Sequence, residues 1–264
     1  SDTDTDSDTD TDSDTDTDAD AGPDSGGDSD DRLVWVEGFG ADEWDQAYKI
    51  GAVPGGGAMV IGIYTGSVVF GEGEIGETEL TAVGDRDIYI AKLAADGTLD
   101  WVKSAGGTGA EYASGLAVLS DGSALVTGDF EDTTTFGEGE TNETELTASG
   151  SNTDIFIAKL ASNGDLLWAK RIGNSEDDSG YEVAALSDGS FFVTGTFADE
   201  VTFGNSETNE TTLAAAGESD AFVAKFAADG SLSWVKSIAG TGTEVGASIA
   251  TFSDGTAIVV GHFE

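Results

Sequence analysis

One fifteen-residue pattern occurs three times and constrains the rest of the chain. Its copies are Asp87 to Trp101 (DIYIAKLAADGTLDW), Asp154 to Trp168 (DIFIAKLASNGDLLW) and Asp220 to Trp234 (DAFVAKFAADGSLSW). Each reads as strand, tight turn, strand. Asp-Gly or Asn-Gly between two apolar runs is the strongest short-range hairpin signal, because such turns need positive φ. The pattern sits inside a longer repeat. Trp35, Trp101, Trp168 and Trp234 are spaced by 66, 67 and 66 residues, and Phe70-Gly71, Phe136-Gly137 and Phe203-Gly204 keep the same step.

Four strands are expected per unit. In the second unit, strand a is Gly115 to Leu119 and strand b is Ala124 to Phe130, joined by a turn at Asp121-Gly122. Strand c is Asp154 to Leu160 and strand d is Leu166 to Ile172. The Asp-Gly turn recurs at Asp188-Gly189 and Asp254-Gly255, whereas Pro54-Gly55-Gly56-Gly57 replaces it in the first unit and predicts a looser tip. Strand c is nearly continuously apolar, which predicts burial on both faces. A two-residue turn at Asp96-Gly97 would place Lys92 opposite Trp101, with the lysine stem laid over the indole. The Thr/Glu/Gly-rich connections after strand b, at 71–84 and 137–153, read as exposed loops or a short edge hairpin. Helical periodicity is absent throughout.

Short strands repeated at this period without helices read as an all-β protein, a β-propeller of four-stranded blades. A blade is too thin to bury both faces unless neighbours press on it. About three and a half blades are present, with the last unit incomplete. The chain opens on a lone strand d (Leu33 to Val36) and ends at Glu264 after strands a and b. That register is the sequence form of ring closure, but strand c of the closing blade is missing, so the chain reads as a fragment of a larger ring, the favoured reading, or as a four-bladed ring that closes with a gap.

Residues 1–31 alternate Ser, Thr or Ala with Asp and hold no apolar residue larger than Ala. Such a segment cannot offset its ordering entropy by burial, so a disordered, self-repelling spacer is expected there, ahead of repeats over 32–264. The 52 acidic and 10 basic residues give a net charge of -42. The first 31 residues supply 14 Asp, so 38 acidic and 10 basic residues remain in the repeats, a net of -28. This field repels nucleic acid and anionic membranes, favours cations and tolerates high salt. There is no Cys, hence no disulfide or thiolate chemistry, and no apolar run reaches the ~18 residues of a membrane helix.

Taken together, several motifs resemble the bacterial SBBP-type "seven-bladed" β-propeller repeat over residues 32–264. They are the D-x-F-[IV]-A-K strand (Asp154 to Lys159, Asp220 to Lys225, with Tyr89 for Phe in the first copy), the D/N-G-x-L-x-W hairpin, the glycines Gly106, Gly107 and Gly109, the S-D-G turn and the V-T-G-x-F strand. The resemblance implies a propeller fold, a place outside the cytoplasm, and no catalytic residue to carry over. The Asp-rich leader looks like the spacer behind the anchored cysteine of bacterial surface lipoproteins. The anchor is therefore an implication of the resemblance only.

Candidate sites are few. Ten residues after each Trp stands an acid: Asp45, Glu111, Asp178 and Glu244. One acid per blade on one face would make a Ca²⁺-binding rim, or a set of loop acids capping backbone N–H groups. One carboxylate per blade is too few for Ca²⁺ unless backbone carbonyls add oxygens. Six of the ten basic residues, Lys92, Lys159, Lys225, Lys103, Lys170 and Lys236, sit at two repeat-fixed places and read as structural. The repeat Trp residues read as packing anchors between blades, and Trp44, outside the repeat, as the exposed aromatic. A Ser-His-Asp set cannot be built, since His262 is the only His. The glycine loops lack the GK[ST] of a phosphate cradle. The D-G-x-L-x-W hairpin is also similar to quinone-dependent dehydrogenase propellers, but the cofactor-binding groups are not found. The expected function is a non-catalytic, monomeric, extracellular or surface-anchored bacterial scaffold that takes no cofactor, Ca²⁺ aside, and binds a protein or polysaccharide through its loops. A secreted propeller enzyme, a lyase or glycosidase, is the alternative.

Overall fold

A computed structural model describes residues 44–264 together with Gly38 and Gly40. The expected spacer and the expected strand at 33–36 lie outside the described residues. Among the described residues there are twenty strands and no helix. None of them forms a helix long and apolar enough to cross a membrane.

The chain builds the same sheet repeatedly. Strands β1 (Gln46–Ala52) and β2 (Ala58–Tyr64) form a hairpin, β3 (Ser67–Phe70) and β4 (Thr78–Thr81) a small second one, and β5 (Asp87–Leu93) and β6 (Leu99–Gly107) a third. Strand β5 returns to pair with β2, giving an antiparallel sheet ordered β1-β2-β5-β6. The second round is β7 (Glu111–Val118), β8 (Ala124–Phe130), β9 (Thr133–Phe136), β10 (Thr144–Thr147), β11 (Asp154–Leu160) and β12 (Leu166–Ile172). The third is β13 (Ser179–Ala185), β14 (Phe191–Phe197), β15 (Glu200–Phe203), β16 (Thr211–Ala214), β17 (Asp220–Phe226) and β18 (Leu232–Ile238). A last hairpin, β19 (Val245–Thr251) and β20 (Ala257–His262), begins a fourth. The expected strands b, c and d of the second unit coincide with β8, β11 and β12; strand a starts four residues earlier than expected, at Glu111.

Turn chemistry sets the registers. In the β5–β6 hairpin Ala94 N–H donates to Thr98 O at 2.8 Å and Gly97 N–H to Ala94 O at 3.0 Å. That makes a three-residue loop closed by a glycine at φ 92°, not the expected two-residue turn. A three-residue loop alone would shift the pairing by one. A β-bulge at Asp100 restores it, so Lys92 does face Trp101, as Lys159 faces Trp168 and Lys225 faces Trp234. The loop Asp accepts from the Ser or Thr two residues on (Asp121 Oδ1 from Ser123 N at 2.9 Å). These bonds hold the Asp96, Asp121, Asp188, Asp229 and Asp254 carboxyls below the ordinary range. The Pro54 loop keeps the same closure as the Asp-Gly loops, Val53 N–H to Gly57 O and Gly56 N–H to Val53 O, with longer bonds (3.2 and 3.1 Å) and no Asp side-chain bond.

Successive sheets pack face to face. Strand c is buried on both faces because apolar sheets lie on either side of it. One core joins Ile61, Ile63 and Ile90 of the first sheet to Val126, Phe156 and Leu166 of the second; another joins Ile155 and Ile157 to Val193, Phe222 and Leu232 of the third. Of the two expectations for the connections after strand b, the short edge hairpin holds and the exposed loop does not. Phe70, Phe136 and Phe203 are fully buried, each with its ring centroid 5.0 Å from the strand-c aromatic Tyr89, Phe156 or Phe222. Inner strands of neighbouring sheets touch directly: β1 and β2 lie on β7, and β13 lies on both β7 and β19. At the outer edge a hairpin stands between the sheets. The β9–β10 hairpin pairs with β6 and touches β12, and β15–β16 touches β12 and β18.

Each hairpin carries a glutamate that accepts from a strand-d N–H (Glu74 from Leu99 N at 2.7 Å), and two of the three also grip a lysine of the previous sheet. Glu140 Oε2 accepts from Leu166 N at 2.5 Å, and its Oε1 accepts from Lys103 of the previous sheet at 2.5 Å. Glu207 repeats this with Leu232 N and Lys170. Burial pushes Glu207 up, but these donors hold it below its usual range. Glu140→Ala leaves a part-buried N–H unpaired and leaves Lys103 only its longer pair with Asp165 at 3.8 Å. The expected loss is about 1–3 kcal/mol in urea denaturation, with Glu140→Gln recovering part of it.

Candidate functional site

Every strand a bulges near its start, at Tyr48, Ser114, Tyr181 and Ala247. A bulge leaves one residue out of the ladder and re-aims its side chain. The bulges therefore share one end of the stack, where strand a begins and strand b ends. An open cleft of about 610 Å³ lies at that end. Its walls carry the carboxylates of Asp129, Glu131, Glu176, Asp177 and Glu218 and the hydroxyls of Ser179, Tyr181 and Thr196. Asp129 is buried, and burial pushes its carboxyl up to about 7. A bond from Ser179 opposes the rise, whereas the charges of Asp177 and Glu131 add to it. Burial also raises the Tyr181 hydroxyl, with Ser179 opposing and Asp129 adding.

Tyr181 is the aromatic in the cleft wall, and further aromatics stand at the neighbouring junction between the first two sheets. The Arg86 guanidinium lies over the Tyr112 ring at 4.2 Å and the Trp44 ring at 5.8 Å, and it donates to the Tyr112 hydroxyl. Tyr48 stands close enough to Tyr112, Arg86 and Asp129 to feel their charges. Trp44, expected to be exposed, is 53% exposed.

The four repeat acids each stand at the start of strand a in their own sheet. Asp45 is half-buried beside Tyr89; Glu111, Asp178 and Glu244 are buried between sheets, so those three do not crown an exposed rim. Asp178 acts as a cap: its Oδ2 accepts from Asn174 N at 2.9 Å and its Oδ1 from Ala198 N at 3.0 Å. Glu111 Oε1 accepts from Thr134. Burial, outweighing such bonds, raises Glu111 to about 8 and Asp178 to about 7. Among the described residues no three His, Cys, Asp or Glu side chains converge on a metal position.

The repeat lysines serve the framework, though not over the paired indoles. Lys92 pairs with Asp100 at 3.1 Å, Lys159 donates to Ala228 O at 3.3 Å, and Lys225 lies over Phe192 at 5.2 Å. The tryptophans anchor neighbouring sheets. Trp101 packs where any side chain on Gly164 of the next sheet would stand, and Trp168 does the same at Gly230. His262 is exposed beside Glu264 at 3.1 Å. Sequence reasoning missed Asp129, Tyr48 and Tyr181. They sit where the repeat varies: Asp129 answers to Ile63, Thr196 and His262, and Tyr181 to Tyr48, Ser114 and Ala247.

No protein-family model matches the chain, and no curated protein matches it.

Proposed function

We propose that the sheets are blades of a β-propeller and that the protein is a non-catalytic, extracellular or surface-anchored binding module. The fan is supported by direct contact between inner strands and by hairpins wedged between outer ones, since a straight stack needs no wedge on one side only. The cleft at the bulged ends carries the binding reading. It combines five carboxylates, several hydroxyls and the Tyr181 ring, with Tyr48, Tyr112 and Trp44 at the neighbouring junction, a set suited to neutral or cationic polyhydroxyl chains and to basic protein segments. Polyanions are excluded by the field.

Retention on immobilised polysaccharides tests this. Neutral or amino-sugar polymers are expected to retain the protein without turnover, sulfated or uronate polymers to exclude it. Tyr181→Ala and Trp44→Ala each weaken retention about 10-fold or more, as loss of a stacking aromatic would. If no neutral or amino-sugar polymer and no basic peptide is held, or if the variants hold as well as wild type, the reading fails.

One observation favours a polysaccharide-cleaving enzyme instead: Asp129 is poised near neutrality in an open cleft. Cleavage of a polysaccharide, lost in Asp129→Asn with binding retained, would establish it.

A further inference from the structure

The first sheet-to-sheet junction buries two carboxylates side by side. Arg86 and Ala110 form an isolated parallel bridge, and Glu111 N–H donates to Arg86 O at 3.2 Å. The residues that follow the bridge, Asp87 and Glu111, therefore stand next to each other, and Glu111 feels the Asp87 charge. Asp87 is 2% exposed and Glu111 is fully buried. Asp87 Oδ2 accepts from Val83 N at 3.1 Å and Glu111 Oε1 from Thr134, with the Gly84 N–H and Tyr64 hydroxyl also near Asp87 and the Gly107 N–H near Glu111. Asp87 Oδ1 and Glu111 Oε2 have no hydrogen-bond partner. The nearest cation is turned away, since Arg86 lies on Tyr112 and Trp44.

The second junction shows how this repeat handles the same pair when it supplies its own positive charge. There Arg171 bonds Asp154 Oδ2, leaving only Asp154 Oδ1 unpartnered, and both oxygens of Asp178 accept backbone N–H groups. Arg171 is replaced at the equivalent positions by Ser104 and Ser237. The third junction repeats the first: Asp220 Oδ1 and both oxygens of Glu244 are buried without partners. So the Asp leaves one oxygen unpartnered at all three junctions, and only the two junctions that lack the arginine leave an oxygen of the second acid unpartnered as well.

An isolated buried carboxylate pair is costly, and a hard divalent cation matches its two charges. We infer that the Asp87–Glu111 and Asp220–Glu244 pairs each bind one calcium ion between neighbouring sheets, doing at those junctions what Arg171 does at the second. At the first junction the hydroxyls of Tyr64, Ser104 and Thr134 lie beside the pair and supply neutral oxygen. Calcium suits this setting better than magnesium, which keeps several waters of its own that an enclosed junction does not accommodate. Two carboxylates per ion suit the weak affinities of extracellular modules, on the order of 10⁻⁴ M.

The test is thermal unfolding of the full chain, stripped with a chelator and titrated with CaCl₂ or MgCl₂ at constant ionic strength. Wild type is expected to show a saturable rise of several degrees in Tm with calcium and a much smaller one with magnesium. Glu111→Gln/Glu244→Gln loses the calcium response. Ser104→Arg/Ser237→Arg, which copies the second junction, is expected to melt at or above the wild-type Tm in chelator and also to lose the response. The acidic leader is the same in every variant, so its diffuse ion binding cancels. A wild type indifferent to calcium, or a folded Ser104→Arg/Ser237→Arg protein that keeps the full response, overturns the assignment.

Discussion

Truncation of Phe156 to alanine lowers the unfolding free energy by about 3–5 kcal/mol. The ring is fully buried, 5.0 Å from Phe136, and lies over Gly128, where even a methyl group would collide with it. It is held by its own strand, by the wedge hairpin and by the facing sheet at once. The cavity cannot collapse without moving all three, which puts the cost at the upper end for a core aromatic. Urea unfolding followed by tryptophan emission should show the midpoint fall with little change in slope. Phe222→Ala, its equivalent one sheet on, should cost a similar amount, and a loss below about 1 kcal/mol at either position would mean that the sheets do not lean on one another.

Stability falls as pH rises from about 4 to 7, and Asp129 is a main cause. Its folded carboxyl is raised to about 7 by burial, with Asp177 and Glu131 adding to the rise and Ser179 and Arg86 opposing it. Below the ordinary Asp range both the folded and the unfolded chain hold the proton, and no difference arises. Above it the unfolded chain releases the proton while the folded chain keeps it, so folding loses ground until pH passes the folded value. Asp129→Asn has no proton to lose and can keep the bond from Ser179. It is expected to match wild type near pH 4 and to exceed it by about 2–4 kcal/mol at pH 8. Denaturant midpoints at the two pH values measure this directly. A variant that parallels wild type across the range would show that Asp129 is ionised in the folded protein.

The strands and their order were legible because Asp-Gly and Asn-Gly steps and the 66- to 67-residue period are local signals. The a-strand boundary was missed at Glu111, because a charged residue hides a strand start when its burial depends on a neighbouring sheet. The small hairpins were underread for the same reason: Thr133 to Phe136 is short and polar in sequence, yet Phe136 fills the gap between two sheets. The loop length was misjudged while the Lys92–Trp101 pairing was right, because the bulge at Asp100 cancels the extra loop residue. Bulges leave little mark in sequence. Of the residues proposed for binding, only Trp44 was legible in the sequence. Asp129 and Tyr181 lie 52 residues apart, and only the packing of β13 on β8 brings them to one cleft.

Hydrogen exchange read by mass spectrometry tests the mutual support of the sheets most directly. The central strands of the first three sheets, β2 and β5, β8 and β11, β14 and β17, should exchange last and together, through global unfolding. The β19–β20 hairpin, with Ile258 and Val260 more than half exposed, should exchange well before them. If each sheet instead exchanges at its own rate, with β19–β20 as slow as β8 and β11, the sheets stand alone and the account is wrong.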